Sequence, residues 1–155
     1  MSSLTYIVHI FGGYSNYLIN ALQVQQNAAA WCITRLLWMT SSDTLLRHCG
    51  WMSVRQLVQY HSLVLLSRVL KEGKPEYIRK KLVPVVRETR NSDSLSLVDM
   101  RHFKTSTAQQ SFIPRTIRDW NSLPFCLREI KSQCDFKASL KDYILKNIPV
   151  KWTAL

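Results

Sequence analysis

Carboxylates are scarce in this chain. Ten Asp and Glu stand against 21 Lys and Arg, a formal net charge of +11. No two of the acids are adjacent, so the sequence offers no ready pair to hold two metal ions for polymerase or nuclease chemistry. Glycine is scarcer still. There are only four, and Gly12-Gly13 lacks the remainder of any phosphate-cradling loop. The cysteines, Cys32, Cys49, Cys126 and Cys134, form no CxxC pair, which argues against a zinc site or a disulfide framework. That cysteine usage suits a reducing compartment, so an intracellular protein, cytoplasmic or nuclear, is expected. No stretch approaches the roughly 18 apolar residues of a membrane span. Met1–Ile10 is apolar but has no Lys or Arg ahead of its apolar run, which makes it a poor signal peptide.

Single residues do not repair these absences. His48-Cys49 are neighbours on a helix and do not face each other. His61 falls on an apolar face and reads as a core histidine. Asp93 and Asp99 flank the segment LSLV (95–98), where aspartates commonly serve turns. The expectation is a chain with no catalytic, metal or cofactor site of its own, and no enzyme.

What the chain does have is apolar content, 46%, and cationic excess. The first supports one domain with a real core. The second favours an anionic partner, nucleic acid foremost.

The clearest element lies between Gly50 and Gly73. Ser53 and Gln56 have capping-box spacing, and Gly73 with Lys71 and Pro75 marks a helix end. Val54, Leu57, Val58, His61, Leu65 and Val69 form one face. Leu63, Val64, Leu66 and Leu70 widen it until the helix is apolar nearly all round, which predicts a central helix packed on several sides.

Ahead of it, Leu4–Phe11 reads as a short strand. A second helix runs from Ser15 or Asn16 to about Met39, with Leu18, Leu22, Gln25, Ala29, Cys32 or Ile33, and Leu36 on its packed face. Trp31 and Trp38 are expected to anchor in the core. Ser41-Ser42-Asp43 caps a short helix, Thr44–Cys49, stopped by Gly50.

Beyond the central helix, Pro75 opens a helix to about Leu82. The segment 84–110 is basic, loop-rich and weakly periodic, with only LSLV strand-like. Ser111–Pro124 carries a helix with Ile113, Ile117 and Trp120 on one face, then a short helix, Pro124–Ile130. Ser132 with Asp135 caps the last helix, whose stripe is Phe136, Leu140, Tyr143, Ile144 and Ile148, and Pro149 ends it. The predicted fold is mainly α: a helical bundle around a central helix near 53–71, with a short N-terminal strand. Its parts are 1–13, 15–83, 84–110 and 111–149, all within one domain, 1–155.

Three pieces in order carry a resemblance. They are SNYLINALQVQQNAAAWCITRL, TLLRHCGWMSVRQLVQYHSLVLLSRVLKEGKPEYI and SFIPRTIRDWNSLPFCLREIKSQCDFKASLKDYI. The matching residues include Leu22–Asn27 with Ala28-Ala29-Ala30 and Arg35, Gly50-Trp51, Val54-Arg55, His61, Pro75 with Tyr77, and Trp120-Asn121-Ser122-Leu123-Pro124. Together they resemble the thumb and post-thumb region of jockey-type non-LTR retrotransposon reverse transcriptases, which are RNA-directed DNA polymerases.

The resemblance implies that Tyr6–Gly13 is the last palm strand and that the catalytic Asp-Asp motif would precede Met1. Two positions depart from the family. Phe11 stands where a Trp is common before the Gly pair, and Trp31 where a basic residue is more usual. The implied function is non-catalytic contact with a template–primer backbone, RNA–DNA or DNA. Charge proposes the contact residues Arg35, Arg55, Lys71, Lys74, Arg79, Lys80, Lys81, Arg115 and Arg118. The alternative is a decayed helical domain with no biochemical activity or a protein-docking role. A detached thumb also predicts that the N-terminal strand and one flank near the central helix form a bare apolar surface, with the helix's own apolar surface partly exposed, open to a palm domain or to self-association.

Overall fold

The computed structural model describes residues 16–36, 39–84, 95–98 and 105–147. The strand expected at Leu4–Phe11 lies outside them, as do Trp38, Asp93, Asp99, Ile148 and most of the 84–110 segment. The fold is mainly helical. In chain order the helices are α1 (Asn16–Thr34), α2 (Ser42–His48), α3 (Val54–Glu72), α4 (Glu76–Arg79), α5 (Ser106–Gln109), α6 (Phe112–Asn121), α7 (Phe125–Arg128) and α8 (Gln133–Asn147).

Helix α3 is the expected central element, and its ends are built as the sequence predicts. The Gln56 backbone N–H donates to Ser53 Oγ at 3.3 Å, and the Ser53 N–H donates to Gln56 Oε1 at 2.9 Å, a complete capping box. At the other end Gly73 takes φ 71°, and its N–H donates to the Val69 carbonyl at 2.9 Å. That left-handed conformation costs a glycine little and terminates the helix.

Helices α1, α4, α6 and α8 all pack on α3. Leu63 and Val69 of α3 are fully buried with Ile117 of α6 and Phe136, Leu140 and Ile144 of α8, each at 0% exposure. Ser62 and Ser67 are equally buried on α3. Small side chains there leave room for the large ones of α6 and α8 to interdigitate. The packed face is therefore turned from the predicted one. Leu57, His61 and Leu65 are half-buried, while Leu63, Leu66 and the two serines take the centre. The strand of the expected bare surface lies outside the described residues; on the helix itself every large apolar side chain is buried or half-buried.

Helix α1 departs further from expectation. It ends at Thr34, five residues before Met39, because Arg35 adopts φ 51°. Its packed face is Ile19, Gln23, Gln26 and Ala30, all buried. Leu18, Gln25, Ala29, Cys32 and Ile33, from the predicted face, are exposed. The reason is polar. Gln26 Nε2 donates to the Met52 carbonyl at 2.8 Å, and the Val54 backbone N–H donates to Gln23 Oε1 at 2.8 Å. Gln23 thereby satisfies an N–H that the first turn of α3 leaves open, and Gln26 ties the carbonyl just ahead of the Ser53 cap to α1. They therefore turn a polar stripe inward and an apolar one outward. Trp31, expected in the core, is exposed on that outer side.

Helix α2 is capped by Ser41 and stopped at Gly50, φ 63°, as expected. Helix α4 is shorter than predicted: it closes at Arg79, and tight turns carry the chain to Leu82. LSLV is not a strand. Residues 95–98 form one antiparallel bridge, Leu97 to Pro84, and the Val98 N–H donates to the Val83 carbonyl at 2.8 Å.

Candidate nucleic-acid interface

The end of α3, the turn after it and α4 carry the densest cationic group: Lys71, Lys74, Arg79, Lys80 and Lys81. All five are exposed. Only two carboxylates lie within this stretch, Glu72 and Glu76, and both are already engaged. Arg68 Nε sits 2.9 Å from Glu72, and Lys80 Nζ sits 2.9 Å from Glu76. Among the described residues no carboxylate lies within 4.0 Å of Lys71, Lys74, Arg79 or Lys81. The surface ion pairs themselves contribute little to stability. Glu76 offsets Lys80 and Glu72 offsets Arg68, which leaves Lys71, Lys74, Arg79 and Lys81 as the cations of the patch without a paired carboxylate among the described residues.

Lys71 and Arg79 share a cleft of about 280 Å³ between α3, the Pro84–Leu97 bridge and α6. Its walls are mostly apolar, with Leu70, Pro84, Leu97 and Trp120 among them, and Ser67 and Ser96 add hydroxyls. Lys71 Nζ is 3.3 Å from Gln133 Oε1 and lies 5.2 Å from the centroid of the Phe136 ring. Partial burial holds this ammonium below the ordinary lysine pKa. Among the described residues Arg79 Nη1 donates to the carbonyl of Leu82, at 3.5 Å. A low-dielectric wall beside two cations strengthens their attraction for an anion.

One wall of the cleft, residues 95–97, is tied down by Trp120 and Asn121 of the WNSLP segment and by Arg128. Trp120 Nε1 donates to the Leu95 carbonyl at 3.0 Å. Asn121 clamps Leu97 from both sides: its Oδ1 accepts from the Leu97 N–H at 3.0 Å, and its Nδ2 donates to the Leu97 carbonyl at 2.8 Å. Arg128 Nη1 donates to Ser96 Oγ at 2.9 Å. An amide side chain can imitate a strand neighbour in this way, which lets residues 95–98 sit against a helix in place of a sheet. Sequence periodicity identified Trp120 as apolar but gave no signal for the clamp, because its partners lie more than twenty residues away.

The remaining candidates do not join this group. Arg55 is in the first turn of α3, roughly 24 Å along the helix axis from Lys71. Arg35 closes α1. Arg118 is exposed and donates to the Gln109 carbonyl at 2.7 Å. Arg115 is a correction to the expected contact set. Its three guanidinium nitrogens are buried and have no hydrogen-bond partner among the described residues, so it presents no surface to a phosphate. Burial pushes its pKa below the usual arginine range, with Asp119 acting in the opposite sense. Burial likewise raises the Asp119 carboxyl above its ordinary value, partly offset by Arg115 and Arg118.

Among the described residues no cluster of His, Cys, Asp or Glu could hold a metal ion, and no helix is long and apolar enough to cross a membrane. The four thiols are free. Comparison of the chain with protein-family models, with curated proteins and with solved structures finds no match in any of the three.

Proposed function

We propose that this chain is a non-catalytic, thumb-like nucleic-acid-binding module of a retrotransposon-type reverse transcriptase, and that it grips a template–primer backbone with the cationic end of its central helix. The observation that carries the reading is the patch of Lys71, Lys74, Arg79 and Lys81, whose neighbouring carboxylates are already paired. Cations on a firmly packed helix end suit backbone contact, which positions a duplex without reading its bases. An RNA–DNA hybrid, close to A-form, is the expected ligand, recognised by shape and phosphate. The ordered sequence resemblance, including the WNSLP segment whose Trp120 lines the cleft beside the patch, supports the same reading.

Titration of a fluorescent RNA–DNA hybrid with the chain over a salt series tests it. The logarithm of the binding constant should fall linearly with the logarithm of salt, by roughly 0.7–0.9 per neutralised phosphate. Absence of binding at 20–50 mM salt would remove the proposal.

A further inference from the structure

The cleft between α3, the Pro84–Leu97 bridge and α6 combines three kinds of surface. Leu70, Pro84 and Leu97 supply an apolar wall, Lys71 and Arg79 supply cations, and Ser67 and Ser96 supply hydroxyls. Its volume of about 280 Å³ lies just under the usual range of small-molecule sites, roughly 300–1,000 Å³. That is room for one small ring system and not for a paired helix. We infer that the cleft receives a single unpaired nucleotide of the bound strand, with its base against the apolar wall and its phosphate on Lys71 and Arg79. The inference rests on the proposed nucleic-acid contact and narrows its ligand to a hybrid that ends in a single-stranded extension.

The polar groups of the cleft have capacity left for such a ligand. Among the described residues Lys71 donates to Gln133 Oε1 at 3.3 Å, and Arg79 donates to the Leu82 carbonyl at 3.5 Å. An ammonium carries three donors and a guanidinium five, so both side chains keep N–H groups for a phosphate. No carboxylate of the described residues lies within 4.0 Å of either to compete for them. The two hydroxyls are complementary. Ser96 Oγ accepts from Arg128 Nη1 at 2.9 Å, which leaves its O–H to donate. Ser67 Oγ donates to Gln133 Oε1 at 3.3 Å, which leaves its oxygen to accept. Nucleobase edges present both acceptors and donors, so this pair serves a base without selecting one.

The mixture decides between ligand classes. A simple anion would use the cations and leave the apolar wall wet. An acyl chain would cover the wall and strand both hydroxyls, which costs free energy. A nucleotide uses all three surfaces at once. The wall is also fixed before a ligand arrives. Asn121 holds both backbone groups of Leu97, at 3.0 and 2.8 Å, and Trp120 Nε1 holds the Leu95 carbonyl at 3.0 Å. A preformed wall spares part of the ordering cost of binding.

Fluorescence anisotropy of the full chain with two RNA–DNA hybrids tests this. Both carry the same short single-stranded extension, which bears bases in one and abasic sugars in the other. Their phosphates are equal in number, so a difference in affinity reports the base. The base-bearing hybrid should bind roughly tenfold tighter. A free mononucleotide should erase that gain, and inorganic phosphate at the same ionic strength should not.

Two variants fill the cleft. Leu95→Trp adds bulk at a lining position that is 36% exposed, and it keeps the bond from Trp120, which uses the backbone carbonyl. Ser96→Phe adds bulk beside it and gives up the bond from Arg128. Loss of the gain in either variant, with the melting temperature and the affinity for the abasic hybrid unchanged, supports the assignment. Equal affinity of wild type for the two hybrids overturns the inference and leaves the backbone reading standing. So does a gain that inorganic phosphate removes, or one that both filled variants keep, because the base would then sit elsewhere. No binding to either hybrid removes the backbone reading as well.

Discussion

Helices α1 and α3 are both 19 residues long, and they use their apolar residues in opposite ways. α3 buries its apolar face between α6 and α8, where Leu63, Ile117, Phe136, Leu140 and Ile144 exclude water completely. α1 turns two glutamines inward and leaves Tyr17, Val24 and Trp31 outside. Apolar periodicity measures what a helix could bury. Which face is buried also depends on what the neighbour lacks. The start of α3 lacks partners for the Met52 carbonyl and the Val54 N–H, and a glutamine pair supplies them. A directed hydrogen bond to a group that would otherwise be stranded decides the orientation of α1 more firmly than a few alanines and a valine could.

The contrast can be broken by substitution. The largest effect is expected in the dry region. Phe136→Ala removes a fully buried ring packed against Trp120 at 6.0 Å between centroids, and should cost about 3–5 kcal/mol in urea denaturation. A loss below about 1 kcal/mol would mean the α3–α6–α8 core is looser than described.

At the polar contact the expected loss is smaller. Gln23→Ala leaves the Val54 N–H without its acceptor and should cost about 1–3 kcal/mol. Amide exchange at Val54 should quicken along with it. If Gln23→Ala is neutral while Leu22→Ala is not, the face assigned to α1 is wrong.

Next comes the turn that ends α3. A methyl group at Gly73 would touch nothing within 4 Å, so Gly73→Ala isolates the cost of φ 71°, about 1–2 kcal/mol.

The smallest effect belongs to the outer side of α1. Val24→Glu should alter stability by less than about 0.5 kcal/mol in the same denaturation measurement.

The charged pair inside α6 sharpens the comparison in acid. The Asp119 carboxyl is raised in the folded state by burial, so in ionised form it opposes folding. That cost is present at neutral pH. It fades as pH falls from the folded value to the unfolded one, where the group is protonated in both states. Asp119→Asn should therefore remove a rising component of stability seen as pH is lowered into the carboxylate range. Denaturation midpoints at a series of pH values check this.

Much of α3 was legible in the sequence because its signals are local. Ser53 with Gln56 and Gly73 with Pro75 lie within a turn of the groups they serve. The stripe of α8 was legible for the same reason, since Phe136, Leu140 and Ile144 repeat at helical spacing on an otherwise polar helix. The face of α1 was not. Its deciding bonds span 26 and 31 residues, and nothing at Gln26 or Gln23 points to Met52 or Val54. The candidate site was legible in part. Charge density pointed to Lys71–Lys81 and chain order suggested a thumb. The Asn121 clamp, the cleft beside Lys71 and the burial of Arg115 depend on packing that composition cannot express.

Backbone contact, as proposed, belongs to one end of α3. The most direct test compares salt slopes for an RNA–DNA hybrid between wild type, a Lys71→Ala, Lys74→Ala, Arg79→Ala, Lys81→Ala variant, and an Arg35→Ala, Arg55→Ala variant. The quadruple change should lower the magnitude of the slope by roughly 3, with the double change leaving it nearly unaltered. Equal slopes for wild type and the quadruple variant, or a larger loss in the double variant, would contradict the assignment.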